Sequence, residues 1–118
     1  MSIPNRIRLS KNVTDKLRLL KMHTGITPNI IARNAIALAV KDNTGITNAS
    51  VPDYEGLELN KAVLFGDYTE FFELLIRQFQ IDNKIDINGQ QLIAALIEIG
   101  VHKIAHVRRL DELNEALV

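Results

Sequence analysis

From Asn5 to Ser10 polar and apolar residues alternate, with Arg6, Arg8 and Ser10 on one side and Ile7 and Leu9 on the other. That period of two predicts a half-buried strand. At Asn12 the period lengthens, and Val13, Leu17 and Leu20 recur at helical spacing. With Asn12 as N-cap, Asp15 three residues on and Gly25 as stop, a first helix is predicted over Asn12 to Thr24. Thr27 before Pro28 opens a second helix, since a Thr side chain caps free amides and Pro in the first turn loses no hydrogen bond. Its stripe of Ile31, Ala35, Leu38 and Ala39 runs to about Lys41. Asp42 to Gly56, rich in Gly, Asn, Thr, Ser and Pro, reads as the one substantial loop.

Beyond the loop, Leu57 to Phe65 fits either a short helix or a strand. Asp67 is the expected cap of a helix carrying Phe71, Phe72, Leu75, Ile76 and Phe79 and ending near Gln80. A turn through Asp82, Asn83, Asp86, Asn88 and Gly89 leads to a helix from Gly89 to about His106, and a short terminal helix is expected from Leu110 to Leu117. The run LIAALIEIGV is apolar on nearly every side, so it belongs at the centre of the fold or in the seam of an oligomer. Gly100 within it allows close backbone approach. The expected fold class is mainly α: a ribbon-helix-helix-like unit of one strand and two helices, then a helical half, in one bundle. An all-α bundle without the strand is the alternative. At 118 residues a single domain is expected, with a basic part over 1–41 and an acidic helical core and oligomerisation part over 57–118.

Charge sharpens this division. The net charge is zero, yet residues 1–41 hold eight Lys and Arg against Asp15 alone, a net of +7, which leaves −7 on the rest. Such a surface attracts polyanions over a Debye length of about 8–10 Å, and nucleic acid is the first partner to consider. With no Cys there are no disulfides, thiolate sites or Cys nucleophiles. The N-terminus has no signal-peptide pattern and no window is a membrane span, so a cytoplasmic protein is expected.

Strand, helix, Gly-containing turn and second helix follow the order of a ribbon-helix-helix DNA-binding unit. A lone strand is unstable, so this reading pairs the strands of two chains into a ribbon that a major groove admits. Arg6, Arg8 and Ser10 then face DNA, and the amides around Thr27, Pro28 and Asn29 offer a phosphate site at a helix N-terminus. The expected DNA-binding set is Arg6, Arg8, Lys11, Lys16, Arg18, Lys21, Thr27, Asn29 and Arg33. The plainer reading is a solvated basic face on a helical protein. Arginine suits guanine and phosphate alike, so base reading does not follow from residue type.

Three stretches, NRIRLSKNVTDKLRLLKMHTGITPNIIARNAIALAV, YEGLELNKAVLFGDY and NGQQLIAALIEIGVHKIAHV, resemble the DNA sulfur modification protein DndE family, and the resemblance covers nearly the whole chain. It implies a homo-oligomeric, DNA-binding component of a bacterial phosphorothioation complex, at least a dimer and expected to be a tetramer. It also implies that the sulfur chemistry belongs to partners: a cysteine desulfurase, a nucleotide-activating sulfurtransferase and an ATPase.

The residues agree that binding, not catalysis, is the task. Sulfur transfer needs a thiolate or equivalent carrier, and ATP use would show GxxxxGK[ST], which is absent. His102 and His106 have chelating spacing, but no Glu follows His102 and no third ligand is evident; no metal and no cofactor are expected. Lys84 to Ala95 lacks the first and twelfth ligands of a calcium loop. Phe65, Phe71, Phe72 and Phe79 read as core or interface rather than as base-stacking platforms. The expected function is a non-catalytic subunit that binds duplex DNA through its backbone, with a preference for nicked or distorted duplex. A ribbon-helix-helix repressor and a protein-interaction adaptor of the same complex are the alternatives.

Overall fold

The structure, a computed structural model, describes residues 3–42, 46 and 51–117, with side chains through His106. Strand β1 (Arg6–Arg8) leads into helices α1 (Lys11–Thr24) and α2 (Pro28–Asp42). Then come strand β2 (Glu58–Asn60), a five-residue helix α3 (Lys61–Phe65), a single 3₁₀ turn over Gly66–Tyr68, and helices α4 (Thr69–Asp82) and α5 (Gly89–Leu117). The fold is mainly helical, with a two-stranded antiparallel sheet in which Arg6 pairs with Asn60, Ile7 with Leu59 and Arg8 with Glu58.

The alternation in β1 is realised as expected: Ile7 and Leu9 are buried while Arg6 and Arg8 are exposed. Its partner, however, is in the same chain. Residues 57–65, open between strand and helix from their pattern, are both in turn: β2 pairs with β1, and Asn60 then caps α3 by accepting a 2.8 Å bond from the Ala62 amide. The second copy that the ribbon reading required is therefore not needed to complete β1.

Other boundaries moved for local reasons. The N-cap of α1 is Ser10, not Asn12; its extended backbone (φ −72°, ψ 159°) lets the hydroxyl accept the Val13 amide at 3.1 Å. Ser10 is consequently buried and does not share the exposed face of Arg6 and Arg8. Gly25 ends α1 as expected, in the left-handed region at φ 76° with its amide on the Lys21 carbonyl. The α4 helix starts at Thr69 rather than from an Asp67 cap, because the 3₁₀ turn carries the chain into it, and it runs to Asp82. At the start of α5 the Asn88 carboxamide oxygen accepts the Gln91 amide at 2.9 Å. This helix continues through the segment expected as a separate terminal helix, since neither Gly nor Pro interrupts residues 101–117.

The apolar run of α5 lies at the centre of the fold. Leu92 to Ile97 are each at most 1% exposed, and α5 packs on α2, α1 and β1. At Gly100 a Cβ would overlap the backbone of Ala35, so α2 and α5 cross in close contact there. Phe65, Phe72 and Phe79 join the core, Phe65 stacking on Phe72 with ring centroids 4.9 Å apart, whereas Phe71 faces outward. Of the expected loop, Val51 to Gly56 returns along α1, and the Gly56 amide bonds the Leu9 carbonyl at 2.8 Å; residues 43–45 and 47–50 lie outside the described residues. Among the described residues no helix is long and apolar enough to cross a membrane.

Candidate nucleic-acid interface

Pairing with β2 places Arg6 and Arg8 on one exposed strand face, with Glu58 between them. Arg6 Nη1 lies 3.7 Å and Arg8 Nη2 3.5 Å from the two carboxylate oxygens of Glu58, and Arg8 Nη1 also donates to the Gly56 carbonyl at 3.2 Å. The Arg6 side chain is 75% and the Arg8 side chain 48% exposed, so the pairing is loose and a stronger anion can compete for them. The other edge of β1 is occupied at Arg8: its amide donates to Gln90 Oε1 at 2.9 Å and its carbonyl accepts from Gln90 Nε2 at 2.7 Å. One side-chain amide thus takes the place of a neighbouring strand.

The α1 helix carries the next cations. Lys11 is exposed in its first turn, and its amide donates to Asp53 at 2.9 Å. The amides of Lys11 and Glu55 hold the Asp53 carboxyl below its ordinary range. An internal carboxylate and the Ser10 hydroxyl therefore occupy the N-terminus of this helix. Arg18 is exposed beside Asp15 at 3.9 Å, a separation too long and too solvated to neutralise it. Lys21 is exposed near the end of α1.

Lys16 points away from these, toward α5, and meets His102 Nδ1 at 2.7 Å. An ammonium has no lone pair, so Lys16 is the donor in this contact. Both line a cleft of about 340 Å³ with Asn12, Pro52, Glu98, Ile99 and Lys103. Burial pushes the Glu98 carboxyl above its usual range, against the Ser10 hydroxyl that donates to it at 2.7 Å and the nearby Lys16 charge. Lys103 is tied to Asp42 at 3.1 Å.

At the start of α2, Thr27 is exposed and its carbonyl accepts the Ile30 and Ile31 amides, while Asn29 is half-buried. Arg33 joins none of these groups. Its Nε donates to the Leu64 carbonyl at 2.8 Å and its guanidinium lies 5.5 Å from the Tyr68 ring centroid, so it ties α2 to the turn after α3. The fold thus brings Arg6 and Arg8 together, sets Lys11, Arg18 and Lys21 along the exposed side of α1, and directs Lys16 and Arg33 elsewhere.

Glu58 and Gln90 are the residues of this surface that residue type did not flag. The alternation of Leu57 and Leu59 around Glu58 was the available signal for the first; nothing local marks the second. Among the described residues no three His, Asp or Glu side chains gather as a metal site.

A protein-family model, described as DNA sulphur modification protein DndE, matches the chain over residues 6–111. The crystal structure of DndE from Escherichia coli B7A, a protein involved in DNA phosphorothioation modification, is 31% identical with a TM-score of 0.72, covering 87% of this chain and 99% of that one. A DndE carrying two glycine-to-lysine substitutions, involved in DNA phosphorothioation, is 29% identical with a TM-score of 0.70, covering 86% of this chain and 98% of that one. No curated protein matches the chain.

Proposed function

The chain belongs to the DndE family of DNA sulphur modification proteins, and from that premise we propose that it is a non-catalytic, DNA-binding subunit of a bacterial, cytoplasmic phosphorothioation complex. It works beside the sulfurtransferase and ATPase that carry out the chemistry. The observation that supports this reading is the exposure of five cations on two elements adjacent in the chain, Arg6 and Arg8 on β1 and Lys11, Arg18 and Lys21 on α1. Cations on flexible side chains take phosphates wherever the backbone presents them, so duplex is bound with little regard to sequence and with a preference for nicked or distorted backbone that reaches both elements.

The protein acts as a homo-oligomer, a tetramer on this proposal. Support comes from the apolar group at the α1–α2 turn, where Leu19, Met22 and Ile26 are exposed, Met22 by 81%. A base-reading ribbon has less support, because β2 and Gln90 already occupy both edges of β1 at Arg8. The test is binding to intact and nicked duplexes of unrelated sequence over a salt series. Affinity should ignore sequence and fall steeply with salt, and each of Arg6→Ala, Arg8→Ala, Lys11→Ala, Arg18→Ala and Lys21→Ala should flatten the slope by up to about 1. Absence of binding at low salt would refute the reading.

A further inference from the structure

Helix α4 has two apolar faces. Phe72, Ile76 and Phe79 enter the core, while Phe71, Leu74 and Ile81 stand on the outside, 58%, 68% and 64% exposed. At 100° per residue those three fall within an arc of about 80°, shared with the exposed Gln78, the arc that a surface helix ordinarily gives to polar residues. Tyr68 in the preceding turn and Val63 on α3 are also more than half exposed. A group of large apolar side chains left in water on one helix calls for a cover.

The charges beside this stripe indicate which cover. They are ordered along the helix: Asp67 and Glu70 flank its N-terminal end, and Arg77 and Lys84 lie toward its C-terminal end, with Asp82 as the exception. Lys61 is already taken by Glu73 at 2.7 Å, and Arg33 by the Leu64 carbonyl. Glu70 and Arg77 stand on the same side of the stripe, seven residues apart and therefore about two turns along it. Antiparallel pairing with an identical helix, about a two-fold axis near Leu74, would set the acidic end of each against the basic end of the other. It would also bring Glu70 of one copy to Arg77 of its mate, twice over. Two-fold contacts are self-complementary in just this sense. Parallel pairing would oppose like charges.

We infer that the outer face of α4 is an interface between two copies of this chain, centred on Leu74 and oriented by reciprocal Glu70–Arg77 pairs. The inference deepens the proposed homo-oligomer by naming one of its surfaces, and it does not require the chain to bind DNA.

The test is sedimentation equilibrium of the full chain without nucleic acid, with circular dichroism as the check on folding. Leu74→Asp, at an exposed position, should keep the helical spectrum and lower the assembled mass by one step. Glu70→Arg and Arg77→Glu should each raise the dissociation constant about tenfold or more, and the double substitution, which exchanges the charges, should restore it. An unchanged mass for Leu74→Asp, or a double variant no better than the single ones, would overturn the inference and leave the stripe to a different protein. A wild-type chain that is monomeric at every concentration would overturn it as well. Since no DNA is present, failure here is distinct from failure of the duplex-binding reading.

Discussion

Glu58 sets how strongly the two arginines of β1 present themselves. Its carboxylate lies between Arg6 and Arg8, at 3.7 and 3.5 Å, so a phosphate approaching either guanidinium must compete with it. Exposed ion pairs are worth about 0–1 kcal/mol, so the competition is mild. Glu58→Gln should therefore tighten duplex binding by up to about fivefold, and the gain should vanish when Arg6 and Arg8 are both alanine. A gain that persists without the arginines would mean that Glu58 acts only through the general field. The arginines were legible from their alternation with Ile7 and Leu9. Their counter-ion was not, because it lies about fifty residues away and only the strand register brings it near. Arg33 shows the converse: charge alone placed it with the DNA-binding set, while its bond to the Leu64 carbonyl marks it as a tie between elements.

At the scale of elements, period and punctuation located most of the helices. Gly25 stops α1 and Pro28 starts α2 because φ > 0 favours glycine and a missing amide is harmless in a first turn. The apolar run of α5 announced burial, and Gly100 announced a close crossing. Gly100→Ala should test that crossing directly. Its Cβ would overlap the Ala35 backbone, which cannot rotate aside as a side chain can, so a cost of about 3 kcal/mol or more is expected as a lowered urea midpoint. An unchanged midpoint would mean that the two helices yield easily at this point. What period missed was the partner of β1. A single alternating segment states that it needs a neighbour on its edge, but not whether that neighbour comes from the same chain.

For the whole molecule, the proposed assembly and the proposed DNA binding would be linked through charge. Each copy brings the same exposed cations, so a closed oligomer lengthens the track of phosphates that it can neutralise, and each one adds about −0.9 to the salt slope. Leu74→Asp, by removing one interface, should bind duplex with a shallower slope than the wild-type chain while leaving Arg6, Arg8 and Lys11 untouched. Equal slopes would mean that a single copy makes all the contacts.

The sequence by itself determined what short-range physics can determine. It set the strand face of Arg6 and Arg8, the helices punctuated by Gly and Pro, the buried run of α5, the division of charge and the resemblance to the DndE family. Tertiary structure decided what depends on residues far apart along the chain. It closed β1 with β2 and Gln90, buried Ser10 as a cap, held Arg33 against α3 and left Phe71, Leu74 and Ile81 outside. The physical reason is that periodicity states which side of an element is apolar, while only packing decides what each side meets.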